Sequence, residues 1–186
     1  MVRPNDLVFR DDGWIDGITH IISPNFDSRP SDAPIDLVVI HNISLPPGEF
    51  GGAGIAELFT NQLDPNAHPY YATIHQLRVS SHFLIRRNGR LIQFVSCDDR
   101  AWHAGVSCWD GRERCNDFSI GIELEGTDEQ PFEKKQYDTL AILTQAIRQR
   151  YSIRGVMGHS DIAPGRKTDP GPHFDWQRYL HLIGEM

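Results

Sequence analysis

Three short apolar runs constrain this chain more than any other feature: LVVIH at 37–41, SIGIEL at 119–124 and IRGVMGH at 153–159. They are brief and largely β-branched, as buried strands are. In the second run Ile120, Ile122 and Leu124 point one way, while Gly121 and Glu123 point the other, with Glu125 following. Helical patterns lie between the runs. From Ala53 to Leu63 the apolar residues Ile55, Leu58, Phe59 and Leu63 share one helical face, and Pro65 stops the helix. Residues 133–151 carry a longer stripe of Tyr137, Leu140, Ala141, Thr144, Ile147 and Tyr151, entered through DEQPFEKKQ without an evident cap. RVSSHFLIRR and RLIQFV flank Asn88-Gly89, a strong hairpin signal. Asp175 caps a closing helix whose buried side is Trp176, Tyr179, Leu180 and Ile183. This order predicts an α/β (α+β) fold, a central mixed sheet with flanking helices. Residues 1–34, rich in Asp, Pro and Ser, read as an irregular lead-in that wraps a single domain spanning 1–186.

A chain of 186 residues can bury a real core. Its net charge of −7 repels nucleic acid and anionic membranes, and the strongest basic cluster, IRRNGR, belongs to the hairpin. No segment approaches the apolar length of a membrane span, and the first residues hold no run of signal-peptide type. Cys97, Cys108 and Cys115 are odd in number and form no CxxC, so reduced thiols and a cytoplasmic location are expected.

Two of the nine histidines stand apart by position. His41 and His159 each close an apolar strand, where open α/β sheets tend to bind ligands. Asp169 comes from the Pro- and Gly-stiffened loop GHSDIAPGRKTDPGPHF. Together they form a His/His/Asp set that leaves one position of a tetrahedral zinc open. The spacing is not a compact motif. A loop histidine beside a Ser-Asp turn and an Asp-Pro turn are the rival readings. Lys167 is either a solvated side chain or, two residues from a ligand, an ammonium able to stabilise an oxyanion. Glu123 is the candidate proton carrier, with Gly121 beside it leaving room for substrate; Glu125 shares its side and competes. Both carboxylates could instead lie on a solvated sheet face. The assembled reading is metal-assisted amide hydrolysis.

The segments HNISLPPGEFGG, LDPNAHPYYA, LRVSSHFLIRRNGRLIQFV, RAWHAGVS, RERCNDFSIGIELEGTD and GHSDIAPGRKTDPGPHFDW match in order the motifs of a known family. The chain resembles the zinc N-acetylmuramoyl-L-alanine amidases over about residues 10–180. Within them it is similar to the cytoplasmic branch acting on 1,6-anhydro-muramyl peptides. The resemblance implies the fold shared with peptidoglycan-recognition proteins, and one zinc on His41, His159 and Asp169. It implies catalytic roles for Glu123, rather than Glu125, and for Lys167. The implied reaction cleaves the amide between the lactyl group of anhydro-muramic acid and L-alanine during cell-wall recycling, which also restrains β-lactamase induction where that circuit exists. Substrate contacts are expected from Asn42, Arg78, Trp102 and Arg114, with Trp102 either stacking on the sugar or serving the core. His103 either supports the ligands or is a loop residue. Asp161 adds a carboxylate near the site, which could perturb Lys167 or the zinc. The partner is a small muropeptide, with no nucleic acid or membrane, and a monomer is expected. A non-catalytic peptidoglycan-binding module and a broader periplasmic amidase are the alternatives; the complete His41, His159, Asp169, Glu123 and Lys167 set favours catalysis.

Overall fold

The computed structural model describes residues 7–185. In chain order its elements are β1 (Thr19–His20), β2 (Phe26–Ser28), β3 (Leu37–Ile43), α1 (Gly54–Phe59), α2 (Pro69–Ile74), β4 (Phe83–Ile85) and β5 (Leu91–Gln93). There follow β6 (Asp99–Ala101), β7 (Cys108–Trp109), β8 (Arg112–Glu113), a 3-10 turn (Cys115–Asp117), β9 (Ser119–Glu125), α3 (Lys134–Arg150), β10 (Gly155–Gly158), α4 (His159–Ile162) and α5 (Trp176–Ile183). The central sheet has six strands in the order β1-β5-β4-β9-β3-β10. Strands β4, β9, β3 and β10 run parallel, β5 is antiparallel to β4, and β1 is parallel to β5, so the sheet is mixed as expected.

The parallel centre is buried on both faces, which explains why its strands read as near-continuous apolar runs. One face sends Val38, Ile40, Phe83, Ile85, Ile120, Ile122 and Leu124 against Leu140, Leu143, Ile147 and Tyr179 of α3 and α5. Full burial of each such aliphatic side chain contributes about 1.5–3 kcal/mol. A polar contact ties the two helices within this layer: Thr144 Oγ1 donates to the Leu140 carbonyl and lies 2.7 Å from Tyr179 Oη. On the other face Leu84, Ile92 and Phe94 pack with Ile55, Leu58 and Phe59, and Leu37 and Val39 pack with Ala104, Cys115, Phe118 and Ile162.

Several local expectations need correction. The entry to α3 does have a cap, because the Gln136 side chain accepts from the Glu133 N–H at 3.0 Å. Its amide nitrogen also donates to the carbonyls of Ile85 and Glu125, docking the helix on the sheet. The first helix stops at Phe59 rather than at Leu63, since Asn61 turns the chain with a φ of 61°. Trp176 and Leu180 are only half-buried on α5, where Tyr179 and Ile183 carry the burial.

The stretch before residue 35 is not merely irregular. Gln93 accepts from the Ile15 N–H at 2.9 Å and donates to the Gly13 carbonyl, so the lead-in is captured and β1 becomes a sheet edge. Arg29 then donates to the carbonyls of Asn116, Asp117, Ser119 and Cys97, stapling the start of β9. Residues 1–6 of that stretch lie outside the described ones. Among the described residues no helix is long and apolar enough to cross a membrane. Cys97 and Cys115 are buried free thiols and Cys108 is an exposed one.

Candidate active site

Sheet register builds the site. Strands β3 and β10 pair Ile40 with Gly158, so the next residue on each is a histidine, His41 and His159. Strands β3 and β9 pair His41 directly with Glu123. His41 lies two residues inside the end of β3, and His159 opens the single turn α4 rather than ending β10. Asp169 arrives from the loop after α4, whose Ser160 N–H donates to the Asp169 carbonyl at 2.9 Å. The tight junction at Gly158 holds that loop close: a Cβ there would fall 2.8 Å from Pro170 Cδ.

His41 Nδ1 is 3.0 Å from His159 Nδ1 and 2.9 Å from Asp169 Oδ2, and His159 Nδ1 is 3.0 Å from the same oxygen. The protons of these rings can be located by elimination. His159 Nε2 lies 3.0 Å from the Ala104 carbonyl, which only accepts; Arg166 Nη2, which only donates, is farther at 3.4 Å and gives its hydrogen to that same carbonyl at 2.7 Å, so Nε2 carries the hydrogen. The tautomer with its hydrogen on Nε2 turns a bare lone pair at Nδ1 toward a carboxylate oxygen. Two acceptors 3 Å apart repel unless a cation joins them. Burial pushes the His41 imidazole down to about 4, so that ring is neutral. Two imidazole nitrogens and one carboxylate oxygen, all within 4.8 Å of one another, form a ligand set suited to zinc. The residues present fit that ion on the chemistry of their donors alone.

Glu123 faces the same space. Its Oε2 is buried with no hydrogen-bond partner among the described residues. Burial, then the nearby Asp169 charge, pushes its carboxyl well up, with Lys167 working in the opposite direction. Glu125 is the contrast. Its oxygens accept from Arg86 Nη1 at 2.8 Å, the Gly51 N–H at 2.7 Å and the Arg87 N–H at 3.1 Å. That carboxylate has three donors on its two oxygens and ties the hairpin and a loop to the sheet.

A cleft of about 390 Å³ opens over these groups, lined by His41, Glu123, His159, Lys167, Asp169 and Trp102, among others. A second cleft of about 640 Å³ adjoins it through Asn42, Lys167 and Asp169. Lys167 is exposed and borders both.

Comparison with known proteins places the chain in a family. The sequence pattern described as N-acetylmuramoyl-L-alanine amidase matches residues 31–172. The chain belongs to the N-acetylmuramoyl-L-alanine amidase family. It is 57% identical over 175 residues to the 1,6-anhydro-N-acetylmuramyl-L-alanine amidase AmpD of Citrobacter freundii, covering 93% of this chain and 94% of that one. Its fold superposes on a crystal structure of an AmpD selenomethionine derivative with a TM-score of 0.92, at 57% identity, over 95% of this chain and 99% of the other. It also resembles the Escherichia coli amidase AmiD in complex with anhydro-N-acetylmuramic acid-L-Ala-D-γ-Glu-L-Lys, with a TM-score of 0.59 and 37% identity over 83% and 60% of the two chains.

In this amidase the remaining expected residues fall in different places. Asn42 Nδ2 donates to Asp128 Oδ1 at 2.7 Å and to the Pro170 carbonyl at 3.0 Å, which uses both amide hydrogens and leaves Oδ1 as an open acceptor. Trp102 lines the cleft, and its indole N–H donates to Asp27 at 3.0 Å. Arg78 is exposed, outside the residues lining that cleft, with its guanidinium on the carbonyls of His75 and Leu77. Arg114 pairs with Asp117 at 3.0 Å and lines a neighbouring groove with Arg100 and Arg166. Asp161 does not approach Lys167 as a free charge, because it accepts from the Gly158 N–H at 2.7 Å.

Gly121 corrects a further expectation. The space beside Glu123 is not left for substrate. A Cβ on Gly121 would fall 2.5 Å from His103 Cγ, so the glycine makes room for that imidazole. Sequence reasoning also missed Arg166, which donates to the carbonyls of Ala104 and Val106 and clamps the Asp169 loop to the 104–106 segment. The RKTD motif contained it, but nothing in that motif names its acceptors.

Proposed function

We propose that this chain is a zinc-dependent amidase that hydrolyses the amide between 1,6-anhydro-N-acetylmuramic acid and the L-alanine of muropeptides, in peptidoglycan recycling. The observation that carries the reading is the convergence of His41 Nδ1, His159 Nδ1 and Asp169 Oδ2 beside the unpartnered oxygen of Glu123. The similarity to AmpD over nearly the whole chain supports the substrate class.

His41 Nδ1, His159 Nδ1 and Asp169 Oδ2 would hold the ion, which when bound polarises a carbonyl and acidifies water. Glu123 Oε2 takes the proton of the attacking water and returns it to the leaving amine nitrogen. Its raised proton affinity suits both halves of that transfer, since a carboxylate that holds a proton well is the stronger base. The Lys167 ammonium borders the cleft without a competing partner among the described residues, free to meet the oxyanion that forms as the carbonyl is attacked. Asn42 Oδ1 is oriented to accept from a substrate N–H. Trp102 offers an aromatic wall to the sugar, its ring held by Asp27. Arg78 and Arg114, which do not line the cleft, would meet the distal carboxylates of a stem peptide only where it extends beyond the cleft.

The same reading takes residues 1–186 as one domain acting as a monomer in the cytoplasm, with one zinc per chain. Three free cysteines suit a reducing compartment. The deciding experiment incubates the zinc-loaded protein with anhydro-muropeptide and with intact peptidoglycan, and identifies products by mass. Release of free stem peptide from the anhydro-muropeptide is expected. Binding without cleavage would replace the amidase with a recognition module.

A further inference from the structure

A chain of hydrogen bonds runs away from His41 on the side opposite its ligand atom, and its directions are fixed from the far end. Ser119 Oγ lies 2.5 Å from the Cys115 carbonyl, which cannot donate, so the single hydroxyl proton goes there. Ser119 Oγ is then an acceptor for His103 Nε2, at 3.1 Å, and that nitrogen carries a hydrogen. A neutral His103 with its proton on Nε2 has a lone pair on Nδ1. His41 Nε2, 2.9 Å away, must donate to it. The neutral His41 ring is left with its bare nitrogen at Nδ1, the atom that faces His159 and Asp169.

The second ligand is anchored from the adjacent residue. His159 Nε2 donates to the Ala104 carbonyl at 3.0 Å. The 103–104 dipeptide thus supplies the partners of both imidazoles, one through a side chain and one through a carbonyl. It is pinned in turn: Asn116 Oδ1 accepts from the His103 N–H at 3.1 Å and from the Ala104 N–H at 2.8 Å. On β9, Ser119, Gly121 and Glu123 share one face, and the His103 ring occupies the space that a side chain on Gly121 would fill.

We infer that His103 is a positioning residue, which with Ser119 and the Cys115 carbonyl locks His41 in the tautomer that leaves Nδ1 free to bind a divalent metal. Without that acceptor, His41 can move its proton to Nδ1, where Asp169 Oδ2 already waits at 2.9 Å, and the ligand set closes on itself. The inference rests on the zinc-amidase reading only for the identity of the ion.

Nitrogen NMR of the imidazoles in the unaltered protein, with and without zinc, tests the relay directly. It should report a hydrogen on Nε2 of both His41 and His103. A hydrogen on His103 Nδ1 would overturn the relay, and this measurement needs no variant. Zinc affinity, read by chelator competition, should fall about 10- to 100-fold in His103→Leu and recover in part in His103→Asn, whose amide oxygen can accept from His41. In His103→Leu the metal-free His41 should shift its proton to Nδ1. An unchanged zinc affinity in His103→Leu would refute the assignment. Failure of the amidase reading has a different signature: no cleavage of muropeptide by the unaltered protein, whatever the tautomer of His103.

Discussion

Glu123 and Glu125 sit two residues apart on one face of one strand, and their environments predict opposite consequences for the same substitution. In Glu125→Gln one carboxylate oxygen becomes an amide that can only donate. Its neighbours, Arg86 Nη1, the Gly51 N–H and the Arg87 N–H, are all donors, so at least one contact is lost along with the charge opposite Arg86. The Glu125 side chain is 2% exposed and that of Arg86 14%, so water cannot replace what is lost. Breaking one side of such a buried pair costs about 3–5 kcal/mol. At about 2–4 °C per kcal/mol for a chain of this size, the melting temperature should drop by roughly 6–20 °C. Glu123→Gln removes no hydrogen bond at Oε2, because none is made. It removes a buried charge instead. The carboxyl of Glu123 is held well above its ordinary value by burial and by Asp169. A raised folded-state value means that its contribution is intact below the unfolded value, about 4.3, and is lost as pH rises toward the raised one. Metal-free Glu123→Gln should therefore melt no lower than the unaltered protein, and its advantage should widen as pH climbs above that unfolded value. Its rate of muropeptide cleavage, measured zinc-loaded by product chromatography, should fall about 10²–10⁴-fold. Folded Glu125→Gln should keep most of its activity. A stable, inactive Glu125→Gln beside an unstable, active Glu123→Gln would reverse the assignment.

Three further outcomes are expected. The purified protein should carry close to one zinc per chain by elemental analysis, and His41→Ala or Asp169→Ala should lose both metal and activity; full activity in a thoroughly stripped sample would reject the metal site. Lys167→Ala should keep its zinc and lose about 10²–10³ in rate, roughly 3–4 kcal/mol, since its ammonium is engaged by no described residue and is free for the oxyanion; an unchanged rate would remove it from the chemistry. Gly121→Ala forces a methyl group to within 2.5 Å of the His103 ring, and should cost about 1–3 kcal/mol of stability in a denaturant titration together with weakened zinc binding; normal zinc binding would mean that the ring can move without consequence.

Local chemistry made much of this protein readable from its residues. The runs 37–41 and 119–124 are strands because both of their faces are buried, and a doubly buried strand must be apolar throughout. Asn88-Gly89 turns the hairpin because glycine accepts the φ of 83° found there. Asp110-Gly111 carried the same signal for the β7–β8 hairpin and was overlooked. The expected ligands His41, His159 and Asp169 do converge, although His41 lies inside β3 and His159 opens α4, so neither histidine ends a strand.

What no single stretch could declare was who stands opposite whom. Glu123 and Glu125 are alike in sequence, and only parallel pairing with β3 sets the first beside His41, while the hairpin return encloses the second in three donors. His103 and Ser119 are ordinary polar residues until the packing of β9 brings them into line behind a ligand. Sequence patterning sets burial and local geometry because those depend on neighbours along the chain. Proton positions, orphaned oxygens and lone-pair convergence depend on neighbours across it, and so belong to the tertiary structure alone.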